Sequence, residues 1–171
     1  MFDSCVLGVD PGVARLGLAA VVRDGRRPVL IWADTVVTDS DTREADRLMA
    51  LAAAVRAAIA DHRPASLAVE RVAFNRNQVS ALGVARATGA VMVVAAESGL
   101  GVEEYSPTEV KDAVTGMGNA DKRQVRDALE RVHGFRDLPA KPDAVDAAAV
   151  ALTHLVASRL RTAAARAGAA R

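Results

Sequence analysis

The sequence predicts one α/β domain built on a mixed five-stranded sheet, an antiparallel meander continued by parallel strands and flanked by helices. Three observations carry this expectation. Four short, largely apolar runs and a fifth short candidate at 102–105 are bounded by turn residues, as strands are. The first three are joined by links too short for a crossover, which makes them antiparallel neighbours. The last two are each preceded by a long stretch of helical periodicity, the mark of parallel strands with helical connections. A chain of 171 residues suits one such domain, and neither an internal repeat nor a dividing linker interrupts it.

The first run, residues 5–9 (Cys-Val-Leu-Gly-Val), stops at Asp10-Pro11-Gly12 and reads as a buried strand entering a turn. The second covers residues 16–22 and leads into Arg23-Asp24-Gly25-Arg26, where Asp-Gly signals a hairpin. The third strand covers 29–37. Between Thr42 and His62, Ala45, Leu48, Met49, Ala52, Val55 and Ile59 recur at helical spacing among charges, so an amphipathic helix follows. Pro64 punctuates it, and Ser66 to Glu70 forms a fourth strand ending in a carboxylate. A helix from 78 to 96 comes next, apolar nearly all round after Gly89, so it is expected to be buried on several sides, in part against another subunit.

Residues 102–105 form the fifth strand. Ser106-Pro107-Thr108-Glu109 then combines a cap, a first-turn proline and a capping-box glutamate, starting a helix that runs to Thr115. Gly116-Met117-Gly118-Asn119 breaks the chain before a charged helix over 120–132 and a last alanine-rich helix over 143–160. Residues 1–160 are thus the domain. The tail 161–171 has too little apolar surface to pack and is expected to fray.

Composition narrows the function classes. Hydrophobic residues at 51% and charged residues at 25% describe a globular chain rather than a disordered one. Lys and Arg number 22 against 21 Asp and Glu, a formal charge of +1, so bulk basicity does not advertise nucleic acid and any such partner must be sought in local features. The single cysteine, Cys5, cannot form an internal disulfide or a CxxC site, which suits a reducing cytoplasm and a small buried hydrophobe. Asp3 and Asp10 interrupt any export signal, and the apolar stretch 89–96 falls short of the roughly 18 residues a membrane span needs. His62, His133 and His154 lack metal spacing and are expected in structural roles, as are Trp32 in the sheet and Tyr105 where the last strand meets its helix.

The residues with chemical promise are acids. Asp10 and Glu70 each end an apolar strand, where side chains project from the rim of an α/β sheet. If those strands are parallel neighbours, the two carboxylates stand side by side, and a divalent cation relieves their repulsion. Asp143 and Asp146, three residues apart, share one face at a helix start. Taken singly, a helix-dipole pair, a turn-forming Asp and a solvated Glu are the plainer readings. Together the four suit a two-metal site with oxygen ligands for hard ions such as magnesium.

Four segments carry a resemblance. Leu7-Gly8-Val9-Asp10-Pro11-Gly12, Val69-Glu70-Arg71-Val72, Lys111-Asp112-Ala113-Val114-Thr115-Gly116-Met117-Gly118 with Asp121-Lys122, and Pro142-Asp143-Ala144-Val145-Asp146-Ala147 resemble, in order and spacing, the RuvC family of crossover (Holliday) junction endodeoxyribonucleases. The resemblance implies a ribonuclease-H-like fold. It makes Asp10, Glu70, Asp143 and Asp146 the metal-binding catalytic acids, with Asp10 shared by two ions, Glu70 and Asp146 completing one shell each, and Asp143 helping to place the second ion or the water. Magnesium, with manganese as a substitute, is the implied cofactor. The products would carry a 5′ phosphate and a 3′ hydroxyl.

It also implies a homodimer nicking four-way DNA symmetrically in recombination and repair, alongside the RuvA and RuvB branch-migration complex. Lys111 and Lys122 match basic residues near the scissile strand, and Arg71 and Arg76 are further candidates for DNA contact. The pattern departs at Ala73, where the family often has an aromatic wedge, and at Arg71, where it often has Gln. Phe74, next to Ala73, is the candidate to stack on an unpaired base, with local packing as the alternative. Two divalent ions would carry the loaded protomer from +1 towards roughly +5. An actin-like or sugar-kinase-type ATPase shares the Asp-Pro-Gly start but needs a second phosphate loop and lobe for which the length leaves no room, and an idle DNA-binding module has no use for four convergent acids.

Overall fold

Five strands, β1 (Cys5–Asp10), β2 (Arg15–Asp24), β3 (Arg27–Val37), β4 (Ser66–Glu70) and β5 (Gly101–Tyr105), form one sheet in the order β3-β2-β1-β4-β5. The computed structural model describes residues 5–25, 27–71 and 78–169. The β1–β2 and β2–β3 pairs are antiparallel, and the β1–β4 and β4–β5 pairs are parallel. The expected mixed sheet is therefore present. Helices α1 (Glu44–His62) and α2 (Gln78–Glu97) make the parallel crossovers, and α3 (Pro107–Thr115), α4 (Lys122–Arg131) and α5 (Pro142–Ala169) complete the chain.

Strand alternation sends the core to both faces. Leu7, Val9, Leu67 and Val69 pack with Leu51 and Val55 of α1 and Val91 and Val94 of α2. On the opposite face Val6, Ala68, Ala19 and Val21 pack with Val110, Leu129 and the buried alanines of α5. A sheet covered on both sides needs apolar residues at consecutive positions, which is why its central strands read as runs rather than alternations.

Two glycines set how closely α5 lies on the sheet. A Cβ on Gly8 would collide with the Ala147 carbonyl, and one on Gly17 with the Asp143 carbonyl. Helix and strand backbones are therefore in direct contact. Gly17 also pairs across the sheet with Asp10, so one close approach fixes Asp10 of β1 relative to the first turn of α5.

Several boundaries differ from expectation for local reasons. In the first hairpin Asp24 pairs with Arg27, and Gly25, at φ +58°, is in the loop proper. Strand β3 carries an irregularity opposite Ala20 and Val21. Helix α1 packs Leu48, Ala52, Val55 and Ile59 of the expected stripe against the core together with Leu51 and Ala58, while Ala45 and Met49, the latter 68% exposed, face outward. Helix α4 begins at Lys122 rather than at 120, because Asp121 and Gln124 form its capping box, while Ala120 is buried in the core. Helix α5 starts at Pro142 and is drawn to Ala169, and alanine and arginine, both of high helix propensity, recur over 161–169. The capping box at Ser106 and Glu109 forms as expected, and Cys5 is half-buried rather than buried.

Candidate active site

The parallel register of β1 and β4 ends at Val9 opposite Val69, which brings Asp10 and Glu70 to adjacent positions at the carboxyl edge of the sheet. Glu70 pairs in turn with Tyr105 of β5. Burial and the neighbouring charges of Glu70, Asp146 and Asp143 push the Asp10 carboxyl up to about 7, with Lys122 opposing them. Glu70 is raised by burial and by Asp146, against the pull of Lys122 and Lys111. The cluster thus holds more negative charge than its surroundings solvate.

Helix α5 supplies the other two acids, held against the sheet by the contacts at Gly8 and Gly17. Asp146 faces Lys122 at the start of α4, where Nζ lies 2.6 Å from Asp146 Oδ2. That bond raises the Lys122 ammonium above the usual lysine range, assisted by Asp10 and Asp143. Asp10, Glu70, Asp146, Lys111 and Lys122 line a cavity of about 270 Å³ floored by Val110, Val125 and Ala149. Asp143 does not line it; it lies a turn earlier on α5 and acts on Asp10 through space. A larger cavity, about 830 Å³, lies between the β2–β3 hairpin and the end of α4, and its walls mix Asp24, Arg27, Glu130 and Arg136 with apolar residues rather than gathering carboxylates.

The carboxylates are all oxygen donors, the set that hard divalent cations take. Among the described residues, no three acidic, histidine or cysteine side chains are already closed around one point. The cluster is open, and an ammonium supplies its positive charge. Half-buried Asp10, pushed up to about 7 by burial first and then by Glu70, Asp146 and Asp143, carries more uncompensated charge than Lys122 offsets, which suits the carboxylate set to a cation.

The remaining sequence-predicted residues divide. Arg71 is exposed and turns to the β5 side, where Nη2 donates to the Glu104 carbonyl at 3.4 Å, outside the cavity. Phe74 and Arg76, and with them Ala73, lie outside the described residues. The histidines take structural partners: His62 stacks on Trp32 with centroids 4.7 Å apart, His133 bonds the Val114 carbonyl, and His154 sits between Ser66 Oγ and Tyr105 Oη. Two residues that shape the site were absent from the sequence reading, Gly8 and Gly17. Their signal was present, because a glycine inside an apolar strand marks a close backbone approach.

A mixed sheet of this order, with carboxylates gathered at its edge from two strands and a late helix, defines a ribonuclease-H-like protein with an acidic site. A family model described as "Crossover junction endodeoxyribonuclease RuvC" matches residues 6–154. Relatives bearing that name include one from Mycobacterium avium, 42% identical over 87% of this chain and 80% of its own, and one from Syntrophomonas wolfei, 37% identical over 91% and 90%. Among solved structures, "T. thermophilus RuvC in complex with Holliday junction substrate" superposes with a TM-score of 0.86 at 34% identity, covering 93% of this chain and 97% of that one. The yeast mitochondrial Holliday junction resolvase Ydc2, at 11% identity and a TM-score of 0.66, shares the fold. The chain belongs to the RuvC family.

Proposed function

We propose that this chain is a structure-selective endonuclease that resolves four-way DNA junctions by paired symmetric nicks, hydrolysing phosphodiesters to 5′ phosphate and 3′ hydroxyl ends in recombination and repair. The observation that carries the reading is the convergence of Asp10, Glu70 and Asp146 on one cavity with Lys111 and Lys122, in a member of the RuvC family. Two magnesium ions, or manganese in their place, would neutralise charge at phosphorus, activate water and stabilise the leaving oxygen.

Asp10, which feels the charges of Glu70, Asp146 and Asp143, would serve both ions, with Glu70 and Asp146 each completing one shell. Asp143, a turn away on α5, would help to place the second ion or the water. Lys111 and Lys122 contact the backbone phosphates at the cavity mouth, and Arg71, Phe74 and Arg76 are further candidates for DNA contact. Residues 1–160 form the nuclease domain.

Two coordinated cuts require two sites related by a twofold axis, hence a homodimer. The stretch 90–96 contributes less to that interface than its composition suggests, because Val91, Val94 and Ala95 belong to the core. Val93 and Leu82, 56% and 53% exposed, lie on the outward face of α2, and these form the candidate contact. The RuvA and RuvB complex is the expected partner and the cytoplasm the expected place; among the described residues no helix is long and apolar enough to cross a membrane.

The test is a synthetic four-way junction incubated with the protein and magnesium. Symmetric paired nicks are expected from the wild type, and a loss of at least about 100-fold in cutting from Asp10→Asn, Glu70→Gln or Asp146→Asn, by analogy with removal of a single charge-stabilising group. Junction binding should survive in each. Cutting near the wild-type rate in Asp10→Asn would refute the scheme.

A further inference from the structure

Lys122 stands in an unusual place for a lysine. It is the first residue of α4, directly after the Asp121 cap, where the helix dipole disfavours a cation. Its side chain crosses to a different helix to reach Asp146, and 75% of it remains exposed, against 20% for Asp146. No core packing holds such an ammonium; the charge of the cluster does. Helix α4 is anchored separately, by the capping box of Asp121 and Gln124 and by buried Val125 and Leu129. Lys122 can therefore change rotamer without moving the backbone. Asp146 Oδ2, which it engages at 2.6 Å, faces the same cavity as Asp10 and Glu70.

We propose that Lys122 is an exchangeable counter-ion: without divalent metal its ammonium neutralises Asp146, and metal displaces it and frees it for the DNA backbone. The inference rests on the reading of the carboxylate cluster as a metal site. An ammonium and a divalent ion drawn to the same carboxylate oxygen repel each other at close range, and the ion, with the larger charge and several carboxylates to bind, wins. Displaced, Lys122 is a cation on an exposed stem at the mouth of a cavity whose acids are now neutralised. That is where a phosphate would next arrive. Metal loading and DNA affinity are thereby coupled through one side chain, and the empty cluster is kept from repelling its own fold.

The coupling is measurable without cutting. Junction affinity is determined for wild type and Lys122→Met at one ionic strength, in EDTA and in calcium, and calcium binding without DNA is followed by calorimetry. Lys122→Met is expected to weaken junction binding about three- to tenfold in calcium but less than about 1.5-fold in EDTA, and to bind calcium about three- to tenfold tighter. Lys122→Arg should recover most of the junction affinity in calcium. Equal losses with and without calcium would overturn the proposal, because Lys122 would then be a permanent phosphate contact or a bystander. Unchanged or weaker calcium binding would overturn it too, because Lys122 would then stay on Asp146. A wild type that binds no calcium would instead sink the metal reading itself, which separates the two failures.

Discussion

Replacing Asp10 by Asn should make the metal-free protein more stable at neutral pH while abolishing its chemistry. The Asp10 carboxyl is raised from 3.8 to about 7 by burial and by Glu70, Asp146 and Asp143. Its folded value lies above its unfolded one, so no stability is lost below pH 3.8, where the group is protonated in both states. As pH rises, the unfolded chain gives up that proton first, and folding stability falls until the folded group also ionises near pH 7. At about 1.36 kcal/mol per pH unit, the full cost is of the order of 4 kcal/mol at pH 8. Asn matches the protonated acid in shape and carries no charge.

The assay is thermal or urea unfolding of both proteins in EDTA, at equal concentration, from pH 4 to pH 8. The curves should coincide near pH 4 and diverge to about 4 kcal/mol by pH 8, roughly 8–16 °C in Tm for a domain of this size. Magnesium should then narrow the gap by stabilising only the wild type, since a ligand of the folded state raises stability by mass action. Parallel stability curves across the whole range would refute the reasoning, because they would mean that Asp10 ionises as easily folded as unfolded.

Three further outcomes follow from the same geometry. Gly17→Ala places a methyl against the Asp143 carbonyl, so α5 must shift away from β2; a loss of about 1–3 kcal/mol in urea unfolding, together with weaker calcium binding, is expected. Ser106→Ala removes the acceptor that caps α3 through the Glu109 amide, 3.2 Å away, and should cost about 1 kcal/mol by the same measurement with calcium binding kept. Val93→Glu puts a charge on the outward face of α2 and should shift the sedimentation of the protein from dimer to monomer with its circular dichroism unchanged, and paired nicking should become single nicking.

The two strand-end acids were legible because strands and their ends were legible. Val9-Asp10-Pro11 and Val69-Glu70 each announce the point where an apolar run meets the sheet edge, and the intervening helix allows a parallel pairing. The pair on α5 was legible from spacing alone. What the sequence concealed depends on packing between distant elements. Lys122 reaches Asp146 only because α4 docks through Val125 and Leu129 beside α5, a relation across 24 positions that no local pattern records. The buried face of α1 was legible in Leu48, Ala52, Val55 and Ile59 but widened by packing to Leu51 and Ala58, because alanines occupy so many of its positions that neighbouring stripes fit nearly as well.

The near balance of 22 basic and 21 acidic residues conceals a segregation of charge, and the fold explains where the strain settles. Asp143 lies in the first turn of α5, where the helix N-terminus favours a negative charge, and Asp146 has Lys122. The plain reading of those two acids as dipole partners and their reading as ligands are therefore compatible, because a helix start favours negative charge whether or not an ion binds. Asp10 has no helix start beneath it, and the pull of Lys122 is one charge set against three. It ends a central strand, is paired with a glycine that offers it no side chain, and faces the charges of its three neighbours. Burial and gathered charge thus push up both Asp10, to about 7, and Glu70, and a divalent cation bound there would relieve both. On the proposed reading of the site, the destabilised acid Asp10 is also one that would bind metal, and for one physical reason.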